Sequence, residues 1–333
     1  MLSLEDILAG SILMSVTFYA IFGGADYGAG IWYLLARGPE GHAQRQLIST
    51  AIGPIWEANH VWLILALTLL FSAFPPAFAR ITTMLHIPVT LLLVGIVVRG
   101  SAFAFRSYDV RQSPLHRFWG TLFGVSSVVT AIFLGIILGT IASMNLQYHP
   151  GGFFDLFVCP WIQPFPLSVG VWTMTLFALL AAIYLIHETP VPALRRYFRA
   201  RALLTIAVSG FMAIFVFLLA QEDAPGIRRG LSQHVHGWMF VMLAAVSMMV
   251  TVAGLWKNRF HLARYSAVAY VAVIIWGWGF TQYPYLVKPD LTIVNSASSG
   301  STLILLLIAL MIGMLVVFPS LLYLLRVFKK SRV

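Results

Sequence analysis

Nine stretches of this 333-residue chain are apolar enough and long enough to cross a lipid bilayer. A spanning helix needs roughly 20 predominantly apolar residues. Windows of that kind fall at about 7–36, 50–73, 79–105, 117–143, 166–187, 202–220, 236–256, 262–281 and 302–326. Lipid gives the backbone no hydrogen-bond partner, so each stretch must close its own bonds as a helix or join a closed barrel. A barrel would read as short strands of alternating polarity. The runs Leu63 to Phe71 and Leu303 to Phe318 read as helices instead. Only 10% of residues are charged and 60% are hydrophobic, against about 25% charged in a soluble domain. The expected fold is therefore all-α and polytopic, a single transmembrane domain over residues 1–333.

The basic residues sort by loop. Sixteen of the 21 Lys and Arg fall at one set of alternate helix ends: Arg37, Arg45, Arg106, Arg111, Arg117, Arg195, Arg196, Arg199, Arg201, Lys257, Arg259, Arg264, Arg326, Lys329, Lys330 and Arg332. The other ends receive Arg80, Arg228, Arg229 and Lys288, while Arg99 lies inside the third stretch. The positive-inside rule puts the basic side in the cytoplasm, the N-terminus outside and the C-terminus inside. The net charge of +10 thus faces a membrane surface rather than nucleic acid. Met1 to Asp6 lacks a basic n-region, so the first apolar stretch is expected to stay as a helix. Cys159 is the sole cysteine, which excludes an intrachain disulfide and a thiolate-built metal site. The one long loop, about 144–165, is Pro- and Gly-rich and reads as an ordered outer cap.

Ionisable groups within spanning stretches cost about 2.5–3.5 kcal/mol each on insertion scales, so each needs a reason. In Gly23-Gly24-Ala25-Asp26-Tyr27-Gly28, the pair Gly24 and Gly28 permits close helix approach. Asp26 is either a packing residue bonded to a neighbour or a proton-path carboxyl. In Gly53-Pro54-Ile55-Trp56-Glu57-Ala58-Asn59-His60, Glu57 and His60 are three apart and share a helical face. Trp56 and Asn59 lie beside them. A carboxyl, an imidazole and an amide on one face suit proton relay; the alternative is a buried polar knot that fixes packing. Arg99 is expected to snorkel to the headgroups. His86, His187, His234 and His236 are scattered and show no specific metal or haem spacing. Trp32, Tyr33, Trp161, Trp172 and Trp238 fit interfacial belts.

These motifs resemble subunit II of the cytochrome bd-type quinol oxidases. The Pro54-Ile55-Trp56-Glu57-Ala58-Asn59-His60-Val61-Trp62-Leu63 run is similar to that family's distinctive second-helix motif. Gly24-Ala25-Asp26-Tyr27-Gly28 resembles its first-helix motif, with wording nearest the cyanide-insensitive branch. Arg99 to Arg106, Gln282-Tyr283-Pro284-Tyr285 and Asn295 to Ser299 are similar to later landmarks. The resemblance implies two four-helix bundles plus a peripheral helix. It implies pairing with a haem-bearing subunit I that carries the b- and d-type haems, and in some members a small single-helix subunit. It also implies a bacterial inner-membrane location, and in some members a structural quinone. In that setting this chain holds no catalytic residue, metal or haem ligand. Glu57, Asp26, His60 and Asn59 are the expected proton path; Gly24, Gly28, Trp56 and Arg99 the expected packing positions. Ala104 stands where many relatives carry an acid. Two other classes fit the residues alone: a proton-coupled transporter using Asp26 and Glu57, and a di-haem electron carrier using His60, His86 or His187.

Overall fold

The structure, a computed structural model, describes residues 3–52, 56–108, 114–143, 146 and 151–330. Gly53, Pro54, Ile55, Arg111, Pro150 and Arg332 lie outside the described residues, as does the side chain of Trp56.

The first span joins α1 (Leu4–Phe18), a π-helical turn (Tyr19–Gly23) and α2 (Gly24–Leu35) end to end. Ser3 and Asp6 cap its start reciprocally, satisfying backbone N–H groups that have no intrahelical acceptor. A short polar helix, α3 (Gly41–Ile52), precedes α4 (Trp56–Ala73). There follow α5 (Pro75–Met84), α6 (His86–Tyr108), α7 (Pro114–Ala142) and α8 (Phe153–Phe157). Next come α9 (Pro164–Glu188), α10 (Pro192–Asp223), α11 (Pro225–Gln233), α12 (Val235–Trp256) and α13 (Phe260–Gln282). A small antiparallel hairpin, β1 (Tyr285–Val287) and β2 (Leu291–Thr292), leads to α14 (Gly300–Lys330). Pro in the first turn starts α5, α9, α10 and α11, where its fixed φ suits the helix and its missing N–H costs nothing.

Eight helices of the described residues are long and apolar enough to cross a membrane, and a bent pair, Glu57–Ala73 with Pro75–Met84, makes up to nine if its two halves are one span. The two halves of that pair meet at 116°. The expected third helix, 79–105, is corrected here. The chain breaks at Leu85, and α6 begins at His86. Pro88 is the reason: a continuous helix would drive its ring into the Met84 carbonyl. The expected second helix likewise starts at Trp56, residues 50–52 belonging to α3. The bend after α4 leaves its last carbonyls without helical partners, and Ser298 meets them. Its N–H donates to Ala73 O at 2.8 Å and its hydroxyl to Ser72 O at 2.7 Å.

Helix α9 lies at the centre, packed against α2, α7, α10 and α13. Leu179, Leu180, Ala182 and Ile183 are all buried, as expected of a helix apolar on every face. The helices α9, α10, α12 and α13 contact one another in a closed ring. Polar side chains tie the ring: Trp172 donates to Ser209 at 3.1 Å, Ser209 meets Tyr270 at 3.2 Å, and Thr251 donates to Ser266 at 2.8 Å. Such bonds help hold helices together where lipid removes the hydrophobic drive between them. On the other side α2 packs on α7, α7 on α6 and α1 on α4. Among the described residues, helix α14 packs mainly on the α1–α4 edge, and most of its described apolar side chains up to Val317 are exposed.

Candidate functional site

Where the first span meets α4, α6 and α7, buried polar side chains gather. Asn59 Nδ2 donates to Asp26 Oδ2 at 2.5 Å, joining α4 to α2. The two residues are 33 apart in sequence, and each motif supplies one partner. Nearby, the hydroxyls of Tyr19 and Tyr27 lie 2.6 Å apart. Eight residues of ideal α-helix rotate about 80° beyond two turns, which would put the two tyrosines on different faces. The π turn at Tyr19–Gly23 holds one extra residue, so the pair behaves as about seven apart and returns to one face. The His60 ring sits 5.9 Å from Tyr19 and 6.5 Å from Tyr27.

Arg99 corrects its expected role. It is 1% exposed and does not snorkel. Its guanidinium lies over Tyr27 at 4.8 Å and over Phe123 at 5.2 Å. Its Nε donates to Ser127 Oγ at 3.2 Å, and Ser127 in turn donates to Phe123 O at 2.7 Å. Among the described residues Arg99 forms no ion pair, and its buried Nη2 has no hydrogen-bond partner. Aromatic faces replace part of the hydration a guanidinium loses, worth about 2 kcal/mol or more when desolvated.

Gly24 and Gly28 set the spacing of this region from α9. A Cβ on Gly24 would strike the Phe177 ring, and one on Gly28 would overlap Phe177 O and Ala181 Cβ. Gly30 meets Ser127 in the same way, which brings α2 close enough for Arg99 to reach both. Trp32 and Tyr33 are corrected as well. They are buried rather than interfacial, and Trp32 Nε1 donates to Ala178 O at 2.8 Å.

Glu57 stands apart from the gathered groups. It occupies the first turn of α4 and is exposed. Among the described residues it forms no hydrogen bond or ion pair. Its neighbour three residues on, His60, is half-buried and faces the tyrosines. Ala104 is half-buried near the end of α6. The other histidines sit at the two ends of the bundle. His86 Nδ1 meets Thr83 O at 2.9 Å beside Phe157, and His187 Nε2 meets Phe260 O at 3.1 Å beside His261. Tyr19, Tyr27 and Ser127 were not singled out from the sequence. A spacing of eight is no helical neighbour until the π turn is known.

A family profile described as cytochrome bd terminal oxidase subunit II matches residues 4–328. A Bacillus subtilis protein, provisionally assigned as a cytochrome bd menaquinol oxidase subunit II, is 22% identical over 99% of this chain and 97% of its own length. The cytochrome bd ubiquinol oxidase subunit 2 of Bacillus subtilis is 30% identical over 47% of this chain and 48% of its own. The cytochrome bd-I ubiquinol oxidase subunit 2 of Escherichia coli is 27% identical over 64% of this chain and 54% of its own. Among solved structures, a chain of the bd oxidase from Geobacillus thermodenitrificans superposes with a TM-score of 0.77, 22% identity and 98% of both chains covered. The profile spans nearly every residue from the capped start of α1 to the end of α14, and on that ground the chain belongs to the cytochrome bd terminal oxidase subunit II family.

Proposed function

We propose that this chain delivers protons from the cytoplasmic side to a haem-bearing partner subunit, which oxidises quinol and reduces dioxygen to water. The observation that carries the reading is the Asp26–Asn59 bond. It places a carboxyl inside the membrane-spanning part of the molecule, where an ionisable group is costly without a role. A carboxyl there accepts a proton, and the Asn59 amide holds it in position. His60, beside Tyr19 and Tyr27, offers a second acceptor and a hydroxyl pair for onward transfer. Arg99 supplies a fixed positive charge that disfavours a second proton nearby. Exposed Glu57, one turn from His60, serves as the outer receiver at the cytoplasmic mouth, or touches the partner there.

The orientation rests on the loop charges. It puts the N-terminus outside, the C-terminus inside, and Asp26, Glu57 and His60 in the cytoplasmic half. Haem is assigned to the partner, whose redox chemistry this chain feeds. A bound quinone and a small single-helix subunit belong to the same proposal. The polar groups form one local seam and not two matched halves, which favours this reading over a transporter.

The test is Glu57→Gln in the assembled complex. Turnover of quinol oxidation should fall several-fold with the partner's haem spectrum intact. Unchanged turnover would remove Glu57 from the path. Purification of the chain with its partner should yield a larger haem-bearing subunit, and haem bound to this chain alone would contradict the assignment.

A further inference from the structure

At the end of the molecule away from most of its arginines, α10 stops at Asp223, α11 follows at once, and α12 starts at Val235. The end of α10 and α11 border an open cleft of about 320 Å3 lined by Gln221, Pro225, Arg228, Arg229, Ser232 and Gln233. Both charged lining groups are positive. Glu222 and Asp223 adjoin Gln221 in the chain, yet among the described residues neither lies within 4.0 Å of an Arg228 or Arg229 nitrogen. Arg228 is pre-positioned: it donates to the Gln221 side-chain carbonyl and stacks over Phe217 at 5.5 Å.

A third cation supports this helix from behind. Lys288 is buried, its Nζ donates to Thr281 O at 3.1 Å, and a Cβ on Gly226 would lie 2.7 Å from that Nζ. It too has no carboxylate within 4.0 Å among the described residues. The two lining arginines, with Lys288 close to the same helix and no ion pair to any of the three among the described residues, make an anion-attracting concavity. Guanidinium forks match phosphate oxygens in particular.

The surface below the cleft selects the ligand further. Leu218, Ile214 and Phe211 precede Gln221 by three, seven and ten residues, so they continue its face along α10, and all three are exposed. On α12, Trp238 donates its Nε1 to Ser232 O at 3.0 Å. Trp238 and Met242, one turn on, are likewise exposed. A ligand seated here meets positive charge at its head and apolar helix faces along its length. We propose that this cleft binds the phosphate of an anionic phospholipid, with its acyl chains lying on α10 and α12.

The test uses the whole oxidase complex in phosphatidylcholine nanodiscs doped with phosphatidylglycerol. Native mass spectrometry after release counts the lipids that stay bound. The wild-type complex should retain phosphatidylglycerol in excess over its share of the bilayer. Arg228→Gln with Arg229→Gln should lower that retention about tenfold, the effect of losing roughly 1.4 kcal/mol of charge-assisted bonding. The paired Lys substitutions should retain an intermediate amount. Equal retention by wild type and the Gln variant overturns the site. No excess of phosphatidylglycerol in wild type overturns it too, whether or not the variants assemble. Displacement of the lipid by inorganic phosphate would mark a free-anion site and overturn the lipid assignment.

Discussion

Arg99 shows how a residue can be found in the sequence and misread. Its place inside an apolar stretch marks it as costly, but the sequence does not say what meets its guanidinium. The partners, Tyr27, Phe123 and Ser127, come from two other spans. Arg99→Met should keep the volume and lose the charge, destabilising the fold modestly by about 1–2 kcal/mol. Arg99→Lys should cost as much or more, since an ammonium keeps the charge and loses the planar stacking. Melting of the purified complex by tryptophan fluorescence would rank the two, and a fully stable Lys variant would discount the stacking. Gly28 is the opposite case, where the motif spoke directly. Two small residues four apart announce close helix approach, and a side chain at Gly28 would collide with the α9 backbone. Gly28→Val should prevent assembly with the partner or lower the complex's melting temperature by several degrees, as overpacking costs about 1–3 kcal/mol. Normal assembly and melting would show that the two helices can separate.

At the level of elements, the spans were legible because about 20 apolar residues can hide nowhere else. Their interruptions were less so. Pro88 and the Pro75-Pro76 pair were visible, but whether a proline kinks a membrane helix or ends it depends on what donates to the freed carbonyls. Ser298, some 225 residues later, does so here. The π turn left no sequence sign at all. Removing one residue from it, as in a Phe22 deletion, should restore regular α-helix with the two tyrosines seven apart and still on one face. The chain should still insert and keep most of its oxidase turnover, whereas Tyr19→Phe with Tyr27→Phe should lower it; undiminished turnover in the double Phe variant would show that the tyrosine pair plays no part. The hairpin end gives a pH-dependent expectation. Burial pushes the Lys288 ammonium below the ordinary lysine value. A base with a lowered folded value binds its proton less well when folded. Stability therefore rises with pH between that lowered value and the ordinary one. Wild type should gain melting temperature on Lys288→Met as pH rises from neutrality toward 10, and a constant difference would argue that Lys288 is already hydrated.

For the whole molecule, charge sorting and span counting argue for the same orientation, and the chain carries its own probe. Cys159, its one cysteine, follows α8 in the loop between α7 and α9 and is partly accessible. A membrane-impermeant maleimide should label it in intact spheroplasts; labelling confined to inverted vesicles would reverse the orientation. What the sequence could not give was the assembly of the seam. Asp26 and Asn59 stood in two separate motifs, and only the packing of the first span, through α1 and its π turn, against α4 brings them together. It also withheld the rank of Glu57, since a carboxyl at the start of α4 looks as buried in one dimension as Asp26. The central claim is that Asp26 passes protons to the partner's oxygen chemistry. The most direct measurement is proton uptake during single-turnover oxygen reduction, followed by a pH dye on the cytoplasmic face of the complex carrying Asp26→Asn. Uptake should slow at least tenfold with assembly and haem spectrum unchanged, and Asp26→Glu should restore much of the rate. Uptake at the wild-type rate in the Asn variant would contradict the account.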